Sequence, residues 1–269
     1  MDIFQALFLG LVQGLTEFIP VSSSGHLELI RHIFNFPAEN FHLFLECVNF
    51  GTLLALLFYF RERIWKITKD VFEERNYKLA INIVITTIPA GLAGLIFAGL
   101  IENSDFFSSL FTVGTAMGIV GIIMVVIDKL PHMSSLKNEN HLTPGRALLI
   151  GILQVFALVP GTSRSGTTIV AGRIAGMDSE SSAEYSFLAS IPIMCAVCLK
   201  LFLSESSRTY FIENLNALFF SNLVAFVVGL WALHYLLRYL KKPKSLQTFG
   251  WYRVTLSCLI IGSLLILSA

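Results

Sequence analysis

Charge is what this sequence has least of: Asp, Glu, Lys and Arg make up 14% of its 269 residues and balance to a formal net charge of +1. So slight a surplus gives no basic face for nucleic acid, and none is expected as a partner. Cysteine is scarce too. The four present, Cys47, Cys195, Cys198 and Cys258, all lie in apolar stretches, where a thiol usually packs as a small hydrophobe. Cys195 and Cys198 have CxxC spacing, but inside a helix-length apolar run without flanking basic groups, so neither redox nor metal chemistry is expected of them. What fills the chain instead is apolar. Hydrophobic residues make up 55% and the mean hydropathy is +0.72, which excludes a water-soluble globular domain and points to a bilayer. The first ten residues, MDIFQALFLG, place an Asp and no Lys or Arg before their apolar run, and are expected to be retained rather than cleaved as a signal peptide.

A hydrocarbon core of about 30 Å takes about 20 helical residues to cross. Six runs qualify, near 43–60, 79–101, 106–127, 184–203, 217–237 and 251–268. Pro89 and Pro192 are expected to kink two of them without abolishing either. Gly114, Gly118 and Gly121 offer a small-residue face for close helix packing.

Residues 3–36 and 147–177 follow a different plan. Each begins with an apolar arm, breaks at Pro and Gly, and resumes with a shorter, more polar arm. Non-helical backbone at membrane depth is tolerated only when buried in protein or lining a watery cavity, so both segments read as re-entrant helical hairpins. They also match each other without a gap. A shift of 141 lays Ala6–Gly25 on Ala147–Gly166 with seven identities in twenty positions, including the repeated Ser-x-Ser-Gly at Ser22, Ser24, Gly25 and Ser163, Ser165, Gly166. The fold class expected is therefore an all-α integral membrane protein, six transmembrane helices plus two re-entrant hairpins, as an internal duplication of about 1–130 and about 140–269.

One hairpin plus three spans is an odd number of crossings, so the second half must be inverted relative to the first. Loop charges agree. The segments 61–78, 128–146 and 238–250 together hold thirteen Lys and Arg, against only Arg31 and Arg208 in the opposite connections. By the positive-inside rule both termini lie outside, and the hairpins enter from opposite faces with their tips meeting near the midplane.

Together the tips offer Glu17, Ser22, Ser23, Ser24, Gly25 and His26 from one side, and Ser163, Arg164, Ser165, Gly166, Thr167 and Thr168 from the other. An intramembrane guanidinium needs anionic company, and the planar fork of Arg164 suits phosphate oxygens. The structural alternative is an Arg164–Glu17 pair that ties the two halves together. Amides at the helix starts after Pro20 and Pro160-Gly161 add donors without charge, with the serines and threonines as further phosphate ligands. Beside a phosphate, Glu17 needs a cation or a proton. That makes it the first candidate ligand for a divalent cation, Mg²⁺ or Ca²⁺, with Gln13 and Glu46 as further candidates; a helix-to-helix hydrogen bond is the other reading of Glu46. Two roles stay open for His26: base for a nucleophilic Ser23, or helper of a metal-bound water and acid for the leaving group. A satisfied structural histidine is the alternative, and His32, His42, His132, His141 and His234 read as surface or packing residues.

Gln13, Glu17 and the run Pro20 to His26, then Pro160 to Gly166, are long and specific motifs, and SAEYSFLASIP (Ser182 to Pro192) accompanies them. On these the chain resembles the bacitracin-resistance family of undecaprenyl diphosphate phosphatases over essentially its whole length. The resemblance implies a multi-pass protein of the bacterial cytoplasmic membrane that removes the terminal phosphate of undecaprenyl diphosphate. That reaction recycles the lipid carrier for cell-wall synthesis, uses a divalent cation, and takes place at a site opening to the outer face of an inverted repeat. The sequence departs from the family pattern in three places. Gln13 stands where many relatives carry a second Glu, Ser24 replaces the more usual Thr, and Asn49 stands where Gln is expected.

A carrier of lipid-linked phosphate is the rival class, because broken helices meeting at the midplane of an inverted repeat are transporter architecture. An acid-phosphatase-type enzyme would need a further basic motif and a second catalytic histidine, and neither is present. The expected partners are a polyprenyl diphosphate and the membrane, with homodimerisation left open.

Overall fold

In the computed structural model, residues 2–36, 41–102, 104–130, 136 and 139–268 are described. Among them the long elements are all helices. The first hairpin is α1 (Ile3–Thr16) and α2 (Ser23–Ile33); α3 (Phe41–Tyr59), α4 (Arg61–Phe72), α5 (Lys78–Glu102), α6 (Asp105–Ser108) and α7 (Leu110–Lys129) follow. The second hairpin is α8 (Pro144–Gln154) and α9 (Arg164–Ile174), after which come α10 (Ser179–Leu203), α11 (Glu205–Glu213), α12 (Leu215–Leu240) and α13 (Ser245–Ser268). Helices α3, α5, α7, α10, α12 and α13 are long and apolar enough to cross a membrane, as expected of the six runs. Their outer faces suit lipid: Leu95 is 83% and Ile266 79% exposed, an apolar surface that water would not tolerate at this extent.

Several boundaries differ from expectation because polar turns begin helices that hydropathy alone does not see. Helix α10 starts at Ser179 rather than 184, where the Asp178 side chain accepts from the Ser181 amide at 2.7 Å. Helix α8 starts at Pro144 behind a Thr143 cap, the combination that proline at the first helical position favours. Residues 61–78, read as a loop, contain α4, which turns Ile64, Ile67 and Val71 toward the protein and leaves Trp65 and Phe72 exposed. Pro89 and Pro192 both lie inside continuous helices.

Packing follows the internal match. Helix α1 packs on α12, α8 on α5, and α7 on α13. At Gly10 a Cβ would lie 2.4 Å from the Ser221 carbonyl oxygen, and at Gly151, 141 residues later, 2.7 Å from that of Thr86. Only a residue without a Cβ allows either approach. Gly114, Gly118 and Gly121 face α13, meeting Ile260, Ser257 and Arg253. The basic segments gather at one end. There Arg63 pairs with Glu139, Lys241 with Glu180 at 3.1 Å, and Glu184 lies within electrostatic reach of all four.

Candidate active site

Both hairpins break in the same way. Helix α1 ends before Pro20 and α8, with a short 3₁₀ turn (Val155–Leu158), ends before Pro160, because proline supplies no amide to continue the ladder. Each following helix then begins on a serine in left-handed backbone: Ser22 at φ 77° and Ser163 at φ 70°. The Ser22 Oγ accepts from the Gly25 amide at 3.3 Å and the Ser163 Oγ from the Gly166 amide at 3.1 Å, N-caps that satisfy an orphan donor of the first turn. A non-glycine residue held at positive φ stores strain, a feature that concentrates at functional sites.

These caps set the next residue of each helix, Ser23 and Arg164, over Glu17. The Ser23 Oγ donates to Glu17 Oε2 at 2.6 Å, while Arg164 Nη2 donates to Oε1 as the partner in an ion pair. The Gln13 amide nitrogen donates to Oε2 at 3.0 Å and to Asn49 Oδ1 at 2.8 Å. Glu17 is one-tenth exposed and Arg164 about one-fifth, so the pair is held largely away from solvent and screening. A cavity of about 220 Å³ opens beside them. Its polar wall includes Gln13, Glu17, Ser23, Asn49, Ser163 and Arg164, and its apolar wall includes Leu27, Leu45, Met194 and Val197. One side can seat an anionic group and the other a hydrocarbon.

Not every expected residue reaches this cavity. Of the eight expected to hold phosphate, Ser24 and Ser163 line it. Ser22, Gly25 and Gly166 are used in the caps, and Ser165 bonds Ser163 Oγ at 3.1 Å and the Glu17 carbonyl at 3.4 Å. The Thr168 hydroxyl turns to the Arg164 carbonyl and Ser186; that of Thr167 is buried and finds no hydrogen-bond partner among the described residues. Glu46 does not line the cavity. It faces Lys200 on α10 at 3.4 Å, a helix-to-helix contact, because one step along α3 from Leu45 turns it about 100° from the cavity. His26 is not brought to Ser23. Its Nδ1 bonds the Ser22 carbonyl and its Nε2 the Tyr252 hydroxyl, both at 2.7 Å.

Tyr252 and Arg253 are the residues that sequence reasoning missed. The run expected at 251–268 puts Arg253 in its first turn; the helix starts at Ser245, and Arg253 has none of its surface exposed. The available signal was the rule applied to Arg164, that an arginine inside an apolar span needs a reason.

Six apolar spans around two broken hairpins, with a guanidinium, a carboxylate and serines converging at their tips, define an integral membrane protein with a pocket suited to an anionic headgroup. The family follows from comparison: the model of the bacitracin resistance protein BacA matches residues 6–259, and the chain belongs to that family. Among its relatives, undecaprenyl-diphosphatase of Marinobacter nauticus is 38% identical over 273 residues, covering 98% of this chain and 100% of that one. The enzyme of the same name from Methanococcus maripaludis is 36% identical, covering 96% and 98%. Undecaprenyl-diphosphatase 1 of Clostridioides difficile is 34% identical, covering 97% and 96%.

Proposed function

We propose that this protein hydrolyses undecaprenyl diphosphate to undecaprenyl phosphate and inorganic phosphate, recycling the lipid carrier for cell-wall synthesis and conferring bacitracin resistance. The observation that carries the reading is the convergence of Ser23 and Arg164 on Glu17 beside a cavity that is polar on one wall and apolar on the other. Family membership supports it, and the three relatives above are named for hydrolysis rather than transport.

In the reaction, Ser23 Oγ attacks the terminal phosphorus and its proton passes to Glu17 Oε2, the acceptor it already faces. The Oγ–P bond forms, the bond to the bridging oxygen breaks, and Glu17 hands the proton to the departing undecaprenyl phosphate. Glu17 then takes a proton from water, which attacks the phosphoserine, and returns it to Ser23 Oγ as phosphate leaves. Arg164 moves its fork from Glu17 to the terminal phosphate and receives the charge that grows there.

The donor set fits a hard cation. Among the described residues no group of three or more His, Cys, Asp or Glu forms a cage, but one carboxylate residue, Glu17, and two amide residues, Gln13 and Asn49, line one cavity. That suits Mg²⁺ or Ca²⁺ held by one carboxylate and completed by substrate oxygens. When bound, the cation neutralises phosphate charge and polarises the terminal phosphoryl group.

The two halves, about 1–130 and about 140–269, are read as an inverted repeat, supported by the matching caps, glycine contacts and hairpin breaks. The basic end is read as facing the cytoplasm of a bacterial inner membrane by the positive-inside rule, and the site as opening to the outer face, as the family resemblance implies. The test is phosphate release from undecaprenyl diphosphate in detergent. Folded Glu17→Ala and Arg164→Ala proteins are expected to be inactive; wild-type turnover in either defeats the assignment.

A further inference from the structure

The group that binds both hairpin breaks lies on a helix that contributes nothing to the cavity wall described above. Arg253, fully buried on α13, donates to four backbone carbonyls. Its Nε reaches Met117 on α7 at 3.2 Å, Nη1 reaches Pro20 in the first break at 3.3 Å, and Nη2 reaches Gly161 and Thr162 in the second at 2.7 and 3.0 Å. None of these acceptors is a carboxylate. Among the described residues the cation is held by these carbonyl dipoles, and a planar fork with five donors is the side chain able to reach all of them; an ammonium is too compact. The bonded carbonyls lie close to the chemistry in sequence: Pro20 is three residues before Ser23, and Thr162 two before Arg164.

The neighbouring residue holds the first hairpin from the same side. The Ser22 carbonyl only accepts, so His26 Nδ1 carries the hydrogen; in the neutral ring Nε2 is then the acceptor and the Tyr252 hydroxyl the donor. The two rings are 4° from parallel with centroids 5.7 Å apart. Both imidazole nitrogens are occupied, and neither faces Ser23.

We infer that Tyr252 and Arg253, adjacent on the last span, are positioning residues that set the separation of Ser23 and Arg164: Arg253 by bonding both breaks, Tyr252 by holding α2 through His26. The inference rests on the proposed hydrolysis. It assigns His26 to placement and the proton transfer at Ser23 to Glu17. Because the groups touching phosphate are unchanged when Tyr252 or Arg253 is altered, the loss falls on the rate of the chemical step and not on binding.

The test is steady-state phosphate release from undecaprenyl diphosphate by Arg253→Lys, Arg253→Gln, Tyr252→Phe, His26→Ala and the Tyr252→Phe/His26→Ala double variant, with melting temperatures in the same detergent. Folded Arg253 variants are expected to lose about 10²-fold in kcat with KM within about twofold, the scale that small misplacements of reacting groups reach. Tyr252→Phe and His26→Ala are each expected to lose less than about tenfold, and the double variant no more than the larger single loss, since both remove one hydrogen bond. Wild-type kcat in a folded Arg253 variant, or a loss confined to KM, overturns the inference. If neither Arg253 variant folds, the double variant decides, and additive losses overturn it. An inactive wild-type protein defeats the functional reading, and this inference with it.

Discussion

Ser23 and Arg164 occupy the same position in the two hairpins, the first residue of the helix after each break, and they donate to different oxygens of one carboxylate, Glu17. In the proposed reaction these two matching positions take different parts, a hydroxyl that attacks and a cation that receives charge. Ser23→Ala is expected to lower phosphate release by about 10³-fold or more, as removal of a nucleophile does. Ser23→Thr keeps a hydroxyl and should retain measurable turnover. Brief incubation with substrate labelled in its terminal phosphate should label the wild-type protein and not Ser23→Ala; equal labelling of both would place the covalent step elsewhere.

The Arg164–Glu17 pair also makes a statement about stability. Removing one partner of a largely buried pair leaves a charge without compensation, at a cost of about 3–5 kcal/mol. Arg164→Ala is therefore expected to melt well below wild type in detergent. Adding Glu17→Gln removes the stranded charge and should recover most of that loss while activity stays absent. If the double variant were active, the pair would only tie the hairpins together.

Much of this arrangement was legible in the sequence because the bilayer makes it so. Span length is set by hydrocarbon thickness, and Ser-x-Ser-Gly recurs at a fixed shift of 141. The illegible parts are rotations about helix axes. Leu45 and Asn49, four apart, face the cavity, whereas Glu46 faces Lys200. Ser23 and His26, three apart, suggest one face, yet the bond from His26 to the Ser22 carbonyl turns the ring to Tyr252. Helix α4 was hidden by its charge, although Ile64, Ile67 and Val71 recur at helical spacing.

The glycine contacts give the repeat a physical test. Gly10→Ala would bring a Cβ to 2.4 Å from the Ser221 carbonyl oxygen, and Gly151→Ala to 2.7 Å from that of Thr86. Backbone cannot yield as a flexible side chain does, so each substitution is expected to cost about 1–3 kcal/mol, the usual range for overpacking. Gly91→Ala, where nothing among the described residues lies within 4 Å of the added carbon, should be neutral or slightly stabilising in helix α5. Comparable melting losses for Gly10→Ala and Gly151→Ala support corresponding packing of the two hairpins; a loss at one alone would argue against it.

Cation dependence separates the three candidate ligands. Glu17 and Gln13 face the cavity and Glu46 does not, so chelation should abolish phosphate release, and Mg²⁺ or Ca²⁺ should restore it. Gln13→Glu adds a second carboxylate beside Glu17, where the present amide donates to it at 3.0 Å. With no cation the two carboxylates repel; with one they form the pair of hard ligands that divalent cations commonly take. The expected outcome is a lower cation concentration at half-maximal rate, by about tenfold, the scale of a single added charge interaction of about 1.4 kcal/mol. Glu46→Gln loses only a partly exposed pair with Lys200, and its cation titration should overlay that of wild type, since such pairs contribute about 0–1 kcal/mol. A shifted titration for Glu46→Gln, or none for Gln13→Glu, would move the cation away from the cavity beside Glu17.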